Sequence, residues 1–301
     1  MQPIDNVLVL GAGELGMAVL HELAARPTAR VTVMIRPVPV DATSESKRLM
    51  LDELSSLGVE VVFADAANDS EEKLAALFSR YDTLVSCLGF AAGAGIQLKL
   101  ARAALRSDVK RYVPWQFGVD YDVIGRGSPQ NLFDEQLDVR QALRAQSRVQ
   151  WLIISTGMFT SFLFEPAFGV VDLSHNIVRA LGSWDTAVTV TTPEDIGRLT
   201  ASILCEPDLA DQVVFIAGDT LTYRQLADTV ELVLKRKVER MEWTVPALMA
   251  DLAAAPDDSI RKYRAVFAEG KGVAWAKSAT YNEKRKIETI NVAQWIEHNL
   301  P

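Results

Sequence analysis

The stretch VLVLGAGELGMAVLHELA, residues 7–24, runs from an apolar segment through three glycines into a helical pattern. No other stretch narrows the fold as much. Gly11, Gly13 and Gly16 are spaced G-x-G-x-x-G directly between strand and helix, the setting in which this pattern carries meaning. The first glycine permits a tight turn, the second lets backbone approach a pyrophosphate, and the third lets helix and strand pack closely. Glu14 and Leu15 lie inside the same turn. The helix start adds amide donors and partial positive charge, which favour an anion. The stretch predicts a βαβ unit that binds a dinucleotide. The plainer alternative is a glycine-rich turn with no ligand.

The remainder of the first half fits such a unit. Strands are expected at about 4–10, 30–35, 59–64, 82–87, 111–115 and 149–155, with helices at about 14–26, 45–57, 70–80, 95–106 and 130–146. The strands are apolar runs rather than alternating patterns, as when helices cover both faces of a parallel sheet. The expected fold is α/β, a Rossmann-type doubly wound sheet with a smaller α+β substrate domain. The dinucleotide-binding domain is expected over 1–157, with later segments near 190–220 returning to it, and the substrate region over most of 158–301. In the second half, 170–190 reads as two or three short strands with a turn at Gly182-Ser183, PEDIGRLTASIL as a helix, and QVVFIAG as a further strand. LTYRQLADTVELVLKR reads as a helix capped by Thr220 or Thr222, 244–268 as two helices split at Pro256, and 291–299 as a last one.

Composition excludes several roles. The 301 residues carry a net charge of −8, so counterion release offers no affinity for nucleic acid. No apolar run reaches the roughly 18 residues of a spanning helix, and no basic n-region precedes the first strand. The two cysteines, Cys87 and Cys205, lie in apolar segments and read as buried thiols. That suits a reducing, cytoplasmic setting, in which the sequon Asn68-Asp69-Ser70 goes unused. No metal-ligand spacing stands out.

The type of dinucleotide is read at the end of the second strand. An NAD site places a carboxylate about 20 residues after the glycines to hold the ribose 2′-hydroxyl. This chain has Arg36 in VTVMIRP. A guanidinium suits a 2′-phosphate, which a carboxylate would repel. Lys47 and Arg48 add charge or are merely solvated helix residues. The expected cofactor is NADPH. Cys87, Leu88 and Gly89 follow the fourth strand towards the same crevice, and Asp65 ends the third, near the adenine or simply capping a turn.

VPWQFGVDYD, residues 113–122, leaves the fifth strand at the same edge. Trp115, Gln116 and Phe117 are therefore candidates to border the nicotinamide, and Asp120, Tyr121 and Asp122 to enter a substrate cleft. For Trp115 and Phe117 the alternative is core packing.

Taken together, the glycine turn, Arg36, KRLMLDELSSLGVEVVFAD, VPWQFGVDYD and PEDIG resemble, over essentially the whole length, the isoflavone reductase-like or NmrA-like branch of the atypical short-chain dehydrogenases. VPWQFG stands where plant members have P-S-E-F-G, and GRGSPQNLFDEQLDVR resembles fungal members. The resemblance implies an NADPH-binding Rossmann domain, a substrate domain, and reduction of aromatic or conjugated small molecules in specialised metabolism. It also implies that MFTSFLFEPAF, with Phe159, Phe162 and Phe164, lines the substrate pocket, with core packing as the alternative; the position of the 115–121 loop adds Trp115 and Tyr121 as substrate contacts. Trp184 joins the pocket or only a turn.

One position departs from the family. Its reductases carry a lysine four residues before an arginine on the helix after the fifth strand; that pattern aligns with Gln136 and Arg140. No lysine occurs from 111 to 234, and none of the six tyrosines begins a Tyr-x-x-x-Lys. A glutamine can orient a carbonyl or water but has no usable pKa for acid catalysis. The remaining proton sources are Tyr121, Asp120 or Asp122, His175 if it projects into the cleft rather than lying in a surface turn, and water. Three readings stay open: an NADPH-dependent reductase of an aromatic, quinonoid or enone molecule; an NADP(H)-sensing regulator acting through a protein partner; and a non-redox cyclase, isomerase or dehydratase. A monomer or homodimer is expected.

Overall fold

The computed structural model describes residues 6–37 and 45–300. The first two residues of the strand expected at 4–10 lie outside them. In chain order the first elements are β1 (Asn6–Leu10), α1 (Glu14–Ala24), β2 (Arg30–Ile35), α2 (Glu45–Ser56), β3 (Glu60–Phe63), α3 (Glu71–Phe78), β4 (Thr83–Ser86), α4 (Ile96–Arg106), β5 (Arg111–Val113), the single turn α5 (Tyr121–Ile124), α6 (Leu132–Arg144) and β6 (Gln150–Ser155). After them come β7 (Met158–Phe159), β8 (Val171–Asp172), β9 (Ile177–Leu181), β10 (Ala187–Thr191), α7 (Pro193–Ile203), β11 (Gln212–Phe215), β12 (Asp219–Thr222), α8 (Tyr223–Leu234), β13 (Glu239–Trp243), α9 (Val245–Ala254), α10 (Ser259–Ala268), α11 (Tyr281–Lys284) and α12 (Val292–Asn299).

The chain divides into two compact units of nearly equal length. The first comprises Met1–Gln116, Asp138–Ile154 and Ile196–Val214; the second comprises Phe117–Leu137, Ser155–Asp195 and Phe215–Pro301. The seven-stranded sheet has the order β11-β6-β5-β4-β1-β2-β3, the Rossmann arrangement with one added edge strand. The neighbours from β3 to β6 pair in parallel, with Leu8 beside Thr32 and Leu84. Trp151 and Ser155 carbonyls accept from the Asp211 and Ile216 amides in step, so β11 runs the same way. Central strands are buried along nearly their whole length because both faces are covered. Leu8, Leu10, Leu84, Tyr112 and Ile153 share one apolar layer with Leu74, Phe78 and Leu100 of α3 and α4. α7 packs on α1 at Gly197, where a Cβ would lie 2.4 Å from the Ala18 carbonyl oxygen.

The second unit holds two three-stranded sheets, β12-β10-β7 and β13-β9-β8. Its helices start where the residue types dictate. Thr222 and Gln225 form a capping box at α8, Thr244 caps α9, Asp258 caps α10, and Asn291 with Gln294 boxes α12. The structure thus selects Thr222 over Thr220. It also reveals strands that the pattern hides. β13, ERMEW, is largely exposed and charged yet pairs in parallel with β9, and β7 and β12 flank β10. Among the described residues no helix is long and apolar enough to cross a membrane, and both cysteines are free and buried.

Candidate functional site

In the first unit, the residues after β1, β2, β3 and β4 line a cavity of about 670 Å³. Register puts them there: the Gly11 amide donates to the Met34 carbonyl and the Cys87 amide to that of Leu10, each at 2.9 Å. The strands therefore end together, and the loops beyond them share one rim.

The three glycines differ in what demands them. Gly11 has φ +94°, in the left-handed region, and a Cβ there would stand 2.8 Å from Leu88 Cδ2. A Cβ on Gly16 would lie 2.2 Å from the Gly11 carbonyl oxygen, so α1 can meet the turn only as glycine. Gly13 is extended (φ −78°, ψ −172°), which any residue adopts, and a Cβ would meet no atom within 4 Å. Neither strain nor internal packing accounts for glycine at 13. Its missing side chain leaves a cradle at the N-terminus of α1, where Gly13 offers the first amides no side-chain acceptor. A pyrophosphate has the size and charge for that cradle. Glu14 lines the same cavity, whereas Leu15 and Gly16 are buried beneath it.

Arg36 and Lys47 supply the positive charge on the cavity wall. The Arg36 guanidinium is 63% exposed and its Nε lies 3.5 Å from Asp65 Oδ2; Lys47 Nζ donates to the Arg36 carbonyl at 3.3 Å. Asp65 caps a turn, accepting from the Ala67 and Asn68 amides and the Asn68 side chain. These bonds, led by that of the Asn68 side chain, hold its carboxyl below the usual range. Sequence reading missed much of the wall, including Met17, Leu49 and Met50 and the small residues Ala64, Ala66 and Ala67. The signals were present, in the helical spacing of Ser46, Met50 and Glu53 and in the run ADAA after β3.

Beyond β4, Leu88 lines the cavity while Cys87 is buried and its thiol pushed far up by desolvation, so it stays protonated. Buried Gln97 donates to the Leu88 carbonyl at 2.7 Å. The Trp115 indole lies against Gly89, where a Cβ would be 3.1 Å from Cζ2, and edge-on to Phe90 with centroids 4.6 Å apart. Trp115 thus braces the loop after β4. Gln116 is fully buried and its Oε1 accepts from Arg140 Nε at 2.7 Å.

In the second unit, Phe117 is buried and the Gly118 carbonyl accepts from the Thr156 and Gly157 amides. Tyr121 is 2% exposed. Its hydroxyl lies over Gly118, 2.7 Å from where a Cβ would stand. Asp120 caps α5 by accepting from the Asp122 amide, and Asp122 is exposed. Gln136 is fully buried on α6. His175 sits in the turn between β8 and β9, 72% exposed, with Nδ1 3.0 Å from Asp172 Oδ2. This geometry is that of a surface turn. Ser174 first, and then His175, hold the Asp172 carboxyl far below its usual range.

The phenylalanines have separate settings. Phe159 is half-buried in register with Thr191. Phe164 stacks on Trp295 at 4.6 Å. Phe162 stacks on Phe168 at 4.5 Å and meets Tyr263 edge-on at 5.9 Å. Tyr121, Phe133 and Tyr263 continue the chain of rings at 5.0 and 6.1 Å, and Phe267 closes it against Phe168 at 6.3 Å. Phe133, Phe168, Tyr263 and Phe267 were not legible in sequence, because no local pattern joins them. Trp184 is half-buried and its carbonyl accepts from the Arg224 amide.

Known proteins share this architecture. The crystal structure of isoflavone reductase matches with a TM-score of 0.82 at 20% identity, over 98% of this chain and 99% of that one. Leucoanthocyanidin reductase from Vitis vinifera, in binary complex with NADPH, matches with a TM-score of 0.74 at 21% identity, over 90% and 89%. At such identities the likeness concerns the fold. An NmrA-like family domain-containing oxidoreductase from Gibberella moniliformis is 45% identical over 298 residues, 97% of each chain. The model of the NmrA-like family matches residues 4–290, nearly the entire chain, and the protein belongs to that family.

Proposed function

We propose that the protein is an NADPH-dependent oxidoreductase that reduces an aromatic, quinonoid or enone small molecule. One observation carries the reading: a single cavity joins a glycine cradle at a helix N-terminus to Arg36 and Lys47, with arginine where an NAD site has a carboxylate. The fungal relative's name and the NADPH complex of the Vitis vinifera neighbour support it.

NADPH, when bound, supplies a hydride from nicotinamide C4. Gly11, Gly13 and Glu14 take its pyrophosphate, and Arg36 with Lys47 its 2′-phosphate. Leu88, Gly89 and Trp115 shape the wall after β4. Gln136 orients the acceptor oxygen of the substrate, and Tyr121 or water delivers the proton; Asp120 and His175 are tied into turns and take no part. Phe159 and Phe162 offer apolar ring contacts. A second reading, an NADP(H) sensor or a non-redox enzyme, draws on the neutral Gln136 where family reductases have lysine.

Arg36→Ala should weaken NADPH about 10- to 100-fold and NADH by less than about twofold, as for loss of a charge-assisted hydrogen bond. Equal losses would undo the 2′-phosphate assignment. Incubation with 4-deuterated NADPH and a panel of quinones and enones, read by mass spectrometry, separates the two readings. Label in a product establishes hydride transfer; NADPH binding without label favours the second.

A further inference from the structure

We infer that Tyr263 is a substrate-recognition residue, its hydroxyl donating a hydrogen bond to a carbonyl, phenol or ether oxygen carried by the substrate's aromatic ring. The inference rests on the reductase reading and deepens it by naming a chemical demand on the substrate: a flat ring must also bear an acceptor oxygen.

The ring cluster of the second unit has a buried back and a partly open front. Phe133, Phe168 and Phe267 are 2%, 0% and 3% exposed, whereas Phe162 and Tyr263 are half-buried. Tyr263 stands edge-on to Phe133 and Phe162, with interplanar angles of 68° and 71°. Its own ring is thus held on two sides by aromatic contacts that fix where the hydroxyl points.

The hydroxyl itself has no hydrogen-bond partner among the described residues, and its neighbours on α10 make that notable. Arg261 donates to the Asp251 carbonyl, Lys262 to Asn131, and Arg264 to the Phe168 and Ala167 carbonyls. From 261 to 264, Tyr263 alone is uncommitted among the described residues. The hydroxyl is not among the enclosed polar atoms, so an acceptor oxygen of a ligand can reach it. Desolvation raises its pKa to about 12, so at neutral pH it is a protonated donor. The other buried tyrosines differ. The Tyr112 and Tyr223 hydroxyls are fully enclosed.

The test compares two probes of one ring system on the full chain saturated with NADP+: menadione, with two carbonyl oxygens, and 2-methylnaphthalene, with none. Affinities are measured by titration calorimetry for the wild type and Tyr263→Phe, which keeps the ring and removes only the hydroxyl. Loss of one hydrogen bond should weaken menadione about three- to tenfold and leave 2-methylnaphthalene within about twofold. Equal losses, no loss for either probe, or no binding of either to the wild type would overturn the assignment. NADPH affinity, measured on the same samples, keeps the two ideas apart. If NADPH binds and Arg36→Ala discriminates against it over NADH while the probe contrast is missing, only the Tyr263 assignment falls. If NADPH does not bind, the reductase reading falls on that result.

Discussion

The two units build their candidate sites from opposite materials. The cavity of the first is walled by short runs at the ends of neighbouring parallel strands, and its turn works through backbone: amides at the start of α1 and a missing Cβ at Gly13. The aromatic cluster of the second is made of side chains drawn from α5, α6, the segment after β7, and α10. A site made of backbone turns depends on local conformation, so a short pattern encodes it and single residues cannot be exchanged within it. A ring cluster depends on area and edge contacts between segments far apart in the chain, so no single short pattern encodes it.

That contrast predicts different modes of failure. The largest effect belongs to the cluster. Phe168→Ala removes a fully buried ring that touches Phe162 and Phe267, and should cost about 3–5 kcal/mol of stability in urea unfolding. A loss below about 1 kcal/mol would mean the cluster is no packed core. Next comes Gly16→Ala. The atom its Cβ meets at 2.2 Å is backbone rather than a yielding side chain, so the turn must shift, at about 1–3 kcal/mol. Gly13→Ala should separate folding from binding. With no atom near its Cβ, stability should move by at most about 1 kcal/mol, while NADPH affinity falls at least about tenfold because the cradle is filled. Unchanged affinity would show that the cradle holds nothing.

The smallest effect is a pH dependence. Burial raises the Tyr263 phenol to about 12, against about 10 when unfolded. The folded chain therefore holds this proton more tightly than the unfolded one. The resulting stability is whole below about pH 10 and is lost as the pH rises through 12. Unfolding at pH 9 and pH 11 should show a steeper fall in the wild type than in Tyr263→Phe. Parallel curves would show that Tyr263 is as well hydrated folded as unfolded.

Residue order alone determined the elements that rest on local physics. The apolar runs, the G-x-G-x-x-G between strand and helix, and the arginine after β2 all act within a few positions of themselves. They predict the doubly wound sheet because a strand buried on both faces and a helix beginning at glycine have few other places to go. Register then carried Gly11, Arg36, Ala64 and Leu88 to one rim, as it must when parallel strands end together. Only the tertiary structure decided the rest. It chose Thr222 over Thr220 as the cap of α8, placed His175 in an exposed turn beside Asp172, and made a strand of charged ERMEW by giving it β9 to pair with. It also brought Tyr263 to Phe133 and Phe162 across about a hundred residues of chain or more. Contacts between distant residues are set by how whole elements pack, and neither the spacing nor the chemistry of any one segment carries that information.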